Sequence, residues 1–217
     1  MGQNFKDVSF QRKFWASEFG NDYIDRNNSI EKMNENYKRL TGITINEIYE
    51  KNFDDIDRKS VILELGCNIG LKLSILYKMG FRNLYGLEIN KKAYRIAKEN
   101  NPDINFINSS IEDFETNDKK FDLVYTSGVL VHIHPSNLDM VIKKIINLSK
   151  KYIFGFENFS ENLAEKKYRG QSNVLWKQNF PILFKKFLPT IRIIKEEKIP
   201  YKIENLYDIT YLLEKVE

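Results

Sequence analysis

From about residue 58 onward the chain switches between two hydrophobic periods. Short apolar runs at 61–65, 83–88, 104–108, 121–126, 151–157, about 190–199 and about 208–215 have the length and composition of strands. Segments with helical spacing lie between them, clearest over 70–79, 90–100 and 136–149. In the last of these Leu138, Val141, Ile142, Ile145, Ile146 and Ser149 form one stripe. Strands that alternate with helices predict an α/β protein with a mostly parallel sheet covered on both faces. Residues 1–58 precede the first strand and read as helical, with Ile30, Met33, Tyr37 and Leu40 near helical spacing. The chain thus divides into a helical N-terminal cover, 1–58, and a core, 59–217. The segment 158–175 is polar and has no clear period, so it reads as a long loop. Loops of that length inside a compact domain are usually functional or disordered.

The most informative stretch is Glu64-Leu65-Gly66-Cys67-Asn68-Ile69-Gly70. It follows the apolar run Val61-Ile62-Leu63 and opens onto a helical pattern. A strand, a Gly-containing turn and a helix in that order build a nucleotide crevice. The turn lets the backbone approach a ligand, and the helix N-terminus offers free N–H groups. Glu88 stands at the end of the second run, eighteen residues after Gly70, where it can accept hydrogen bonds from both ribose hydroxyls. A nicotinamide-cofactor oxidoreductase would share Glu88 but would show G-x-G-x-x-G. Here the spacing is Gly66-x-Asn68-x-Gly70, with an acid two residues before the first Gly. This resembles motif I of the class I S-adenosylmethionine-dependent methyltransferases. That family usually has Gly in place of Asn68, and Asn is the best substitute for Gly in a left-handed backbone.

The resemblance implies a Rossmann-like seven-stranded sheet, mostly parallel, with helices on both faces and a helical N-terminal extension. Its last strand would insert antiparallel beside the sixth. It also implies S-adenosylmethionine as cofactor, held by Glu64, Gly66, Cys67, Asn68, Gly70, Glu88 and Ile89. Ser110 and Ile111 after the third run fall where the family holds adenine, and Ser127 and Gly128 follow the fourth. Phe121-Asp122-Leu123-Val124, which leads into that last pair, looks like the family's motif IV.

The two histidines of the chain, His132 and His134, follow the fourth run. An imidazole titrates near neutral pH and can take the proton that an acceptor hydroxyl loses as it is methylated. His132 is the better candidate base. His134 precedes Pro135 and is expected to be exposed. Together with Glu157 at the end of the fifth run, His132 and His134 are also a candidate ligand set for a divalent metal, Mn²⁺ or Mg²⁺.

Composition narrows the class. The chain has 217 residues, 42% apolar and 29% charged, with a net charge of +4 and acids interspersed with bases. That describes one globular core without a nucleic-acid-binding face. No run approaches the roughly 18 apolar residues of a membrane span, so membrane insertion is not expected. Gln3, Asn4, Lys6 and Asp7 leave the N-terminus without an apolar signal core. The single cysteine, Cys67, cannot form an internal disulfide and reads as a small packing residue. A cytoplasmic location is the expectation. Oligomeric state is not legible.

Three further stretches narrow the resemblance to a small bacterial group, the pseudaminic acid biosynthesis-associated methylases. The first is Phe14-Trp15-Ala16-Ser17-Glu18-Phe19-Gly20-Asn21-Asp22-Tyr23-Ile24-Asp25-Arg26-Asn27. The second, Gly128-Val129-Leu130-Val131-His132-Ile133-His134-Pro135, commonly has Asn in that group where this chain has His134. The third is Tyr168-Arg169-Gly170-Gln171-Ser172-Asn173 followed by Leu175-Trp176-Lys177-Gln178-Asn179-Phe180. There the group usually has His for Gln171 and Asp for Asn173, and the departures point to a different acceptor. Phe14, Trp15 and Phe19 read as packing of the N-terminal segment. Tyr23 and Arg26 share a helical face and suit the cofactor's carboxylate or an anionic acceptor. Tyr168 and Arg169 are candidate catalytic residues, with Arg169 holding a phosphate-type or carboxylate group. The implied reaction is methyl transfer to an oxygen of a small anionic molecule in surface-glycan synthesis. The acceptor would be a nonulosonic acid, a flagellar or capsular sugar, or its phosphate-type modification. N-methylation of an amino sugar and a non-catalytic cofactor-binding role in a sugar-modifying complex are the alternatives.

Overall fold

The computed structural model describes residues 8–26, 28–116, 120–202 and 205–216. Asn27 of the first signature, residues 1–7 and the other gaps lie outside it. Four helices come first: α1 (Val8–Ala16), α2 (Glu18–Arg26), α3 (Ile30–Thr41) and α4 (Ile45–Phe53). The sheet then begins with β1 (Val61–Leu65), α5 (Leu71–Lys78), β2 (Asn83–Glu88), α6 (Lys91–Asn100) and β3 (Asn105–Asn108). It continues with β4 (Phe121–Ser127), a 3-10 turn (Leu130–His132), α7 (Pro135–Leu148) and β5 (Ser149–Phe159). The remaining elements are β6 (Ala164–Glu165), β7 (Trp176–Lys177), α8 (Phe180–Phe187), β8 (Arg192–Pro200) and β9 (Tyr207–Glu214).

The main sheet has seven strands in the order β3-β2-β1-β4-β5-β9-β8. β1 to β5 pair in parallel, and β9 inserts antiparallel between β5 and β8. The chain winds outward from β1 to β3 and then returns to place β4 against the other side of β1. That reversal opens a crevice beyond the C-terminal ends of β1 and β4, where such sheets bind ligands.

Alternation along the central strands feeds two cores. Leu63, Val124 and Ile153 join Leu138, Val141, Ile142 and Ile145 of α7 on one face. Ile62, Leu123, Tyr125 and Phe154 join Tyr49 and Phe53 of α4 on the other. Phe53 packs edge-to-face on Phe154 with ring centroids 4.9 Å apart. The N-terminal segment is therefore two different things. α3 and α4 belong to the core, and α4 is fixed at its start by a Thr44–Glu47 capping box. α2 instead seats Ile24 on Ile69 and Ala93, beside the first turn of the crevice.

Two segments depart from the sequence reading. The stretch 158–175 is not a plain loop: β5 runs on to Phe159, and Ala164–Glu165 pairs antiparallel with Trp176–Lys177 as a short ribbon. Strands of two residues are too short to show a period. The helix α8 went unread because Pro181 interrupts its apolar run, although proline is well tolerated in a first helical turn. Ser149, counted in the stripe of α7, is instead the first residue of β5.

Candidate active site

The chain leaves β1 at Leu65 and enters α5 at Leu71 through a turn with three left-handed residues. Gly66, Asn68 and Gly70 have φ of 71°, 50° and 77°. Asn68 thus takes the left-handed conformation that Gly supplies in related turns. At Gly66 a Cβ would meet Val129 Cγ2 at 2.7 Å, so the turn lies directly against the segment after β4. Gly66 and Cys67 donate their N–H groups to the Leu87 carbonyl at 2.8 and 3.0 Å. Glu88 braces the turn: Asn68 N–H donates to Oε2 at 2.8 Å and Asn90 N–H to Oε1 at 2.7 Å. Burial pushes the Glu88 carboxyl up, while the amides of Asn90, Asn68 and Ile89 pull it down.

A cavity opens beyond these strand ends. Gly66, Cys67, Asn68, Glu88 and Ile89 line one side. Ser110 and Ile111 lie after β3, and Ser127 and Gly128 end the β4 side. Tyr23 and His132 complete the predicted residues in its wall. Arg26, Glu64, Gly70, Tyr168 and Arg169 are outside the wall. Gly70 starts α5 in the left-handed conformation. Glu64 is fully buried in β1, where Oε2 accepts from the Tyr125 hydroxyl at 2.9 Å and Oε1 has no partner. Burial pushes its carboxyl up to about 7, and nearby Lys72 acts against that.

His132 enters the wall on the 3-10 turn, which Glu157 holds. Glu157 Oε1 accepts from Val129 and Leu130 N–H at 3.1 and 3.2 Å, and Oε2 from Val131 N–H at 3.4 Å. Glu157→Ala would leave these amides without their acceptor, and a loss of about 2–4 kcal/mol is expected. A urea melt would measure it; an unchanged midpoint would refute the brace. His132 Nδ1 lies 2.6 Å from the Val174 carbonyl, which can only accept. Nδ1 therefore carries the proton and Nε2 the lone pair. Burial pushes the ring's pKa down to about 4, so the neutral form is held at neutral pH.

The metal expectation does not survive this geometry. Both Glu157 oxygens face backbone amides. His134 is buried, not exposed, and its Nδ1 caps α7 by accepting from Ser136 N–H at 3.2 Å. Its ring packs edge-to-face on Trp176. Among the described residues no group of three or more His, Cys, Asp or Glu side chains is placed to hold a metal ion.

Residues 62–151 match a family model described as a methyltransferase domain. That match spans less than half of the chain. A ubiquinone biosynthesis O-methyltransferase of Rickettsia bellii is 34% identical over 119 residues, 52% of this chain and 47% of that protein. The chain thus spans about half the length of the curated relatives it matches. Among solved structures, magnesium protoporphyrin IX methyltransferase of Synechocystis PCC 6803 with bound S-adenosylmethionine has a TM-score of 0.69 at 14% identity, covering 100% of both chains. The 1,6-didemethyltoxoflavin-N1-methyltransferase of Burkholderia thailandensis has a TM-score of 0.71 at 13% identity, covering 100% of this chain and 94% of that one. At these identities the likeness is one of fold.

Trp15, Gln11 and Lys72 are among the wall residues that the sequence does not mark as site residues. Trp15, taken for packing, lines the cavity and sits 4.6 Å from the His132 ring. Gln11, one helical turn earlier, lines it too and donates from Nε2 to the Asn173 carbonyl at 3.1 Å. Their i, i+4 spacing marks a shared face, but only the tertiary fold turns that face to the cavity. Lys72 lines the wall and donates from Nζ to the Ser127 carbonyl at 3.1 Å. Its one sequence signal is a charge in the first turn of a mostly apolar helix. Gln11 Oε1, Trp15 Nε1 and Asn68 Oδ1 are buried there without hydrogen-bond partners, as expected of a wall built for a polar ligand.

Proposed function

We propose that the protein transfers a methyl group from S-adenosylmethionine to an oxygen of a small anionic acceptor. The observation that carries this reading is the placement of a neutral, tautomer-fixed His132 in the same cavity wall as the Gly66–Asn68 turn and Glu88. The cofactor, when bound, supplies an electrophilic methyl group on a sulfonium. Glu88 keeps acceptor capacity beyond the backbone amides that brace it and would hold the ribose hydroxyls. Ser110 and Ile111 would hold the base. Gly66, Cys67, Asn68, Ser127 and Gly128 would admit the methionine portion, and Lys72 would face its carboxylate. Tyr23 closes the cavity from α2. His132 Nε2 would take the acceptor's proton, which is worth about 10²–10⁴-fold in rate for a well-placed base. The rest of the acceleration would come from alignment in a closed site. Transfer to oxygen is favoured by the base and by the O-methyltransferase name of the Rickettsia bellii relative. A surface-glycan precursor is the acceptor class favoured by the three signatures.

Calorimetric titration with S-adenosylhomocysteine tests the cofactor half. Micromolar binding is expected, unchanged by added Mn²⁺. An absence of heat at cofactor concentrations up to about 1 mM, some 4 kcal/mol of binding at most, would sink the reading. Transfer of a labelled methyl group into a panel of phosphorylated and nucleotide-activated sugars tests the acceptor half.

A further inference from the structure

We propose that Arg26 and Arg169, with the hydroxyls of Tyr23 and Tyr168, form a binding site for a phosphate group carried by the methyl acceptor. The inference rests on the reading of the neighbouring cavity as the cofactor site and of His132 as the base.

The four residues come from two distant segments that the fold brings together. α2 carries Tyr23 and Arg26. The ribbon carries Tyr168 and Arg169, and its tip is a tight turn. Tyr168 and Gln171 exchange two backbone hydrogen bonds of 2.9 Å, with Arg169 and Gly170 at φ of 50° and 79° between them. A left-handed pair is the geometry of a two-residue hairpin turn, and here it puts an arginine at the first tip position. A chain of ring contacts links the segments. Tyr23 packs on Trp15, Trp15 on His132 and His132 on Tyr168, with centroids 5.6, 4.6 and 5.1 Å apart. Phe19 meets Tyr168 at 6.2 Å, and the Arg26 guanidinium lies 5.9 Å from the Phe19 ring. Both guanidiniums act electrostatically on both tyrosine hydroxyls.

Charge selects the ligand. Arg12, Arg58 and Arg192 each pair with a carboxylate. Among the described residues Arg26 and Arg169 have no carboxylate partner; each lies near an aromatic ring instead. Two uncompensated guanidiniums beside two phenols match a dianionic phosphate, whose oxygens accept from both kinds of donor. The cofactor's carboxylate would meet Lys72, which is in the cavity wall, whereas the two arginines are exposed and outside it. His132 touches both the cavity residue Trp15 and the outer residue Tyr168. An acceptor anchored by its phosphate at the arginines would therefore lead past His132 to the cofactor.

The test is calorimetry on the complex with saturating S-adenosylhomocysteine, titrated with inorganic phosphate and separately with acetate. Phosphate should bind at least about tenfold more tightly than acetate. In the double variant Arg26→Gln with Arg169→Gln, phosphate affinity should fall at least about tenfold, with S-adenosylhomocysteine affinity within about threefold of the parent, which also shows that the fold is kept. Phosphate binding that is absent from the parent, equal to that of acetate, or unchanged in the variant would overturn the proposal. So would a fall in S-adenosylhomocysteine affinity without a matching fall for 5′-methylthioadenosine, which lacks the carboxylate; the arginines would then serve the cofactor. Failure of S-adenosylhomocysteine to bind the parent would instead refute the underlying cofactor reading.

Discussion

Glu88→Ala is expected to weaken S-adenosylhomocysteine binding by at least about 100-fold. Two losses combine. The ribose hydroxyls would lose a charged acceptor, at about 1.5–3 kcal/mol for each bond. The turn would also lose its brace, because Asn68 and Asn90 N–H both donate to this carboxylate. Asn68 is a non-glycine residue in left-handed backbone, so the freed turn has a ready alternative conformation. Glu88→Gln keeps one acceptor oxygen and should cost about tenfold, since the side-chain amide can accept at one end only. Calorimetry on the parent and both variants measures this. Equal affinity in Glu88→Ala and the parent would remove Glu88 from the cofactor site and with it the reading of the crevice.

His132→Gln is expected to lower turnover about 100- to 1,000-fold while cofactor affinity holds, within the range of lost general-base catalysis. Gln is the stricter test than Ala, because its amide can still donate to the Val174 carbonyl that the Nδ1 proton now meets. The packing between Trp15 and Tyr168 is then kept without a base. The pH profile supplies an independent check. Burial pushes the His132 pKa down to about 4, so the lone-pair form predominates above that value. The rate should rise as pH increases through about 4 and stay level across neutrality. The same shift bears on stability. The folded pKa lies below the unfolded value of about 6.5, so the stabilisation is complete above 6.5 and is lost as pH falls toward 4. A rate that titrates near 6.5, or full turnover in His132→Gln, would remove His132 as the base.

The parallel sheet, the Gly66–Gly70 turn and Glu88 were legible because local pattern and chain order determine them. A buried strand must be apolar, a left-handed position must be Gly or Asn, and an acid at the end of β2 has one crevice to face. The antiparallel insertion of β9 was legible only through the family resemblance, since strand pairing is a long-range choice that period alone does not reveal. What the sequence could not settle was which polar groups satisfy one another. Glu157 looked like a metal ligand until three backbone amides from the turn after β4 were seen to occupy it. His134 looked exposed until its ring was seen to cap the start of α7 and to pack on Trp176. Trp15 looked like packing until α1 laid it against His132. The same long-range docking brings Arg26 and Arg169, far apart in the chain, to one pair of tyrosines. Apolar periodicity is a local property, read within one turn or one pleat. The partner of a polar side chain is chosen across the whole fold, because any donor or acceptor brought within about 3 Å will serve.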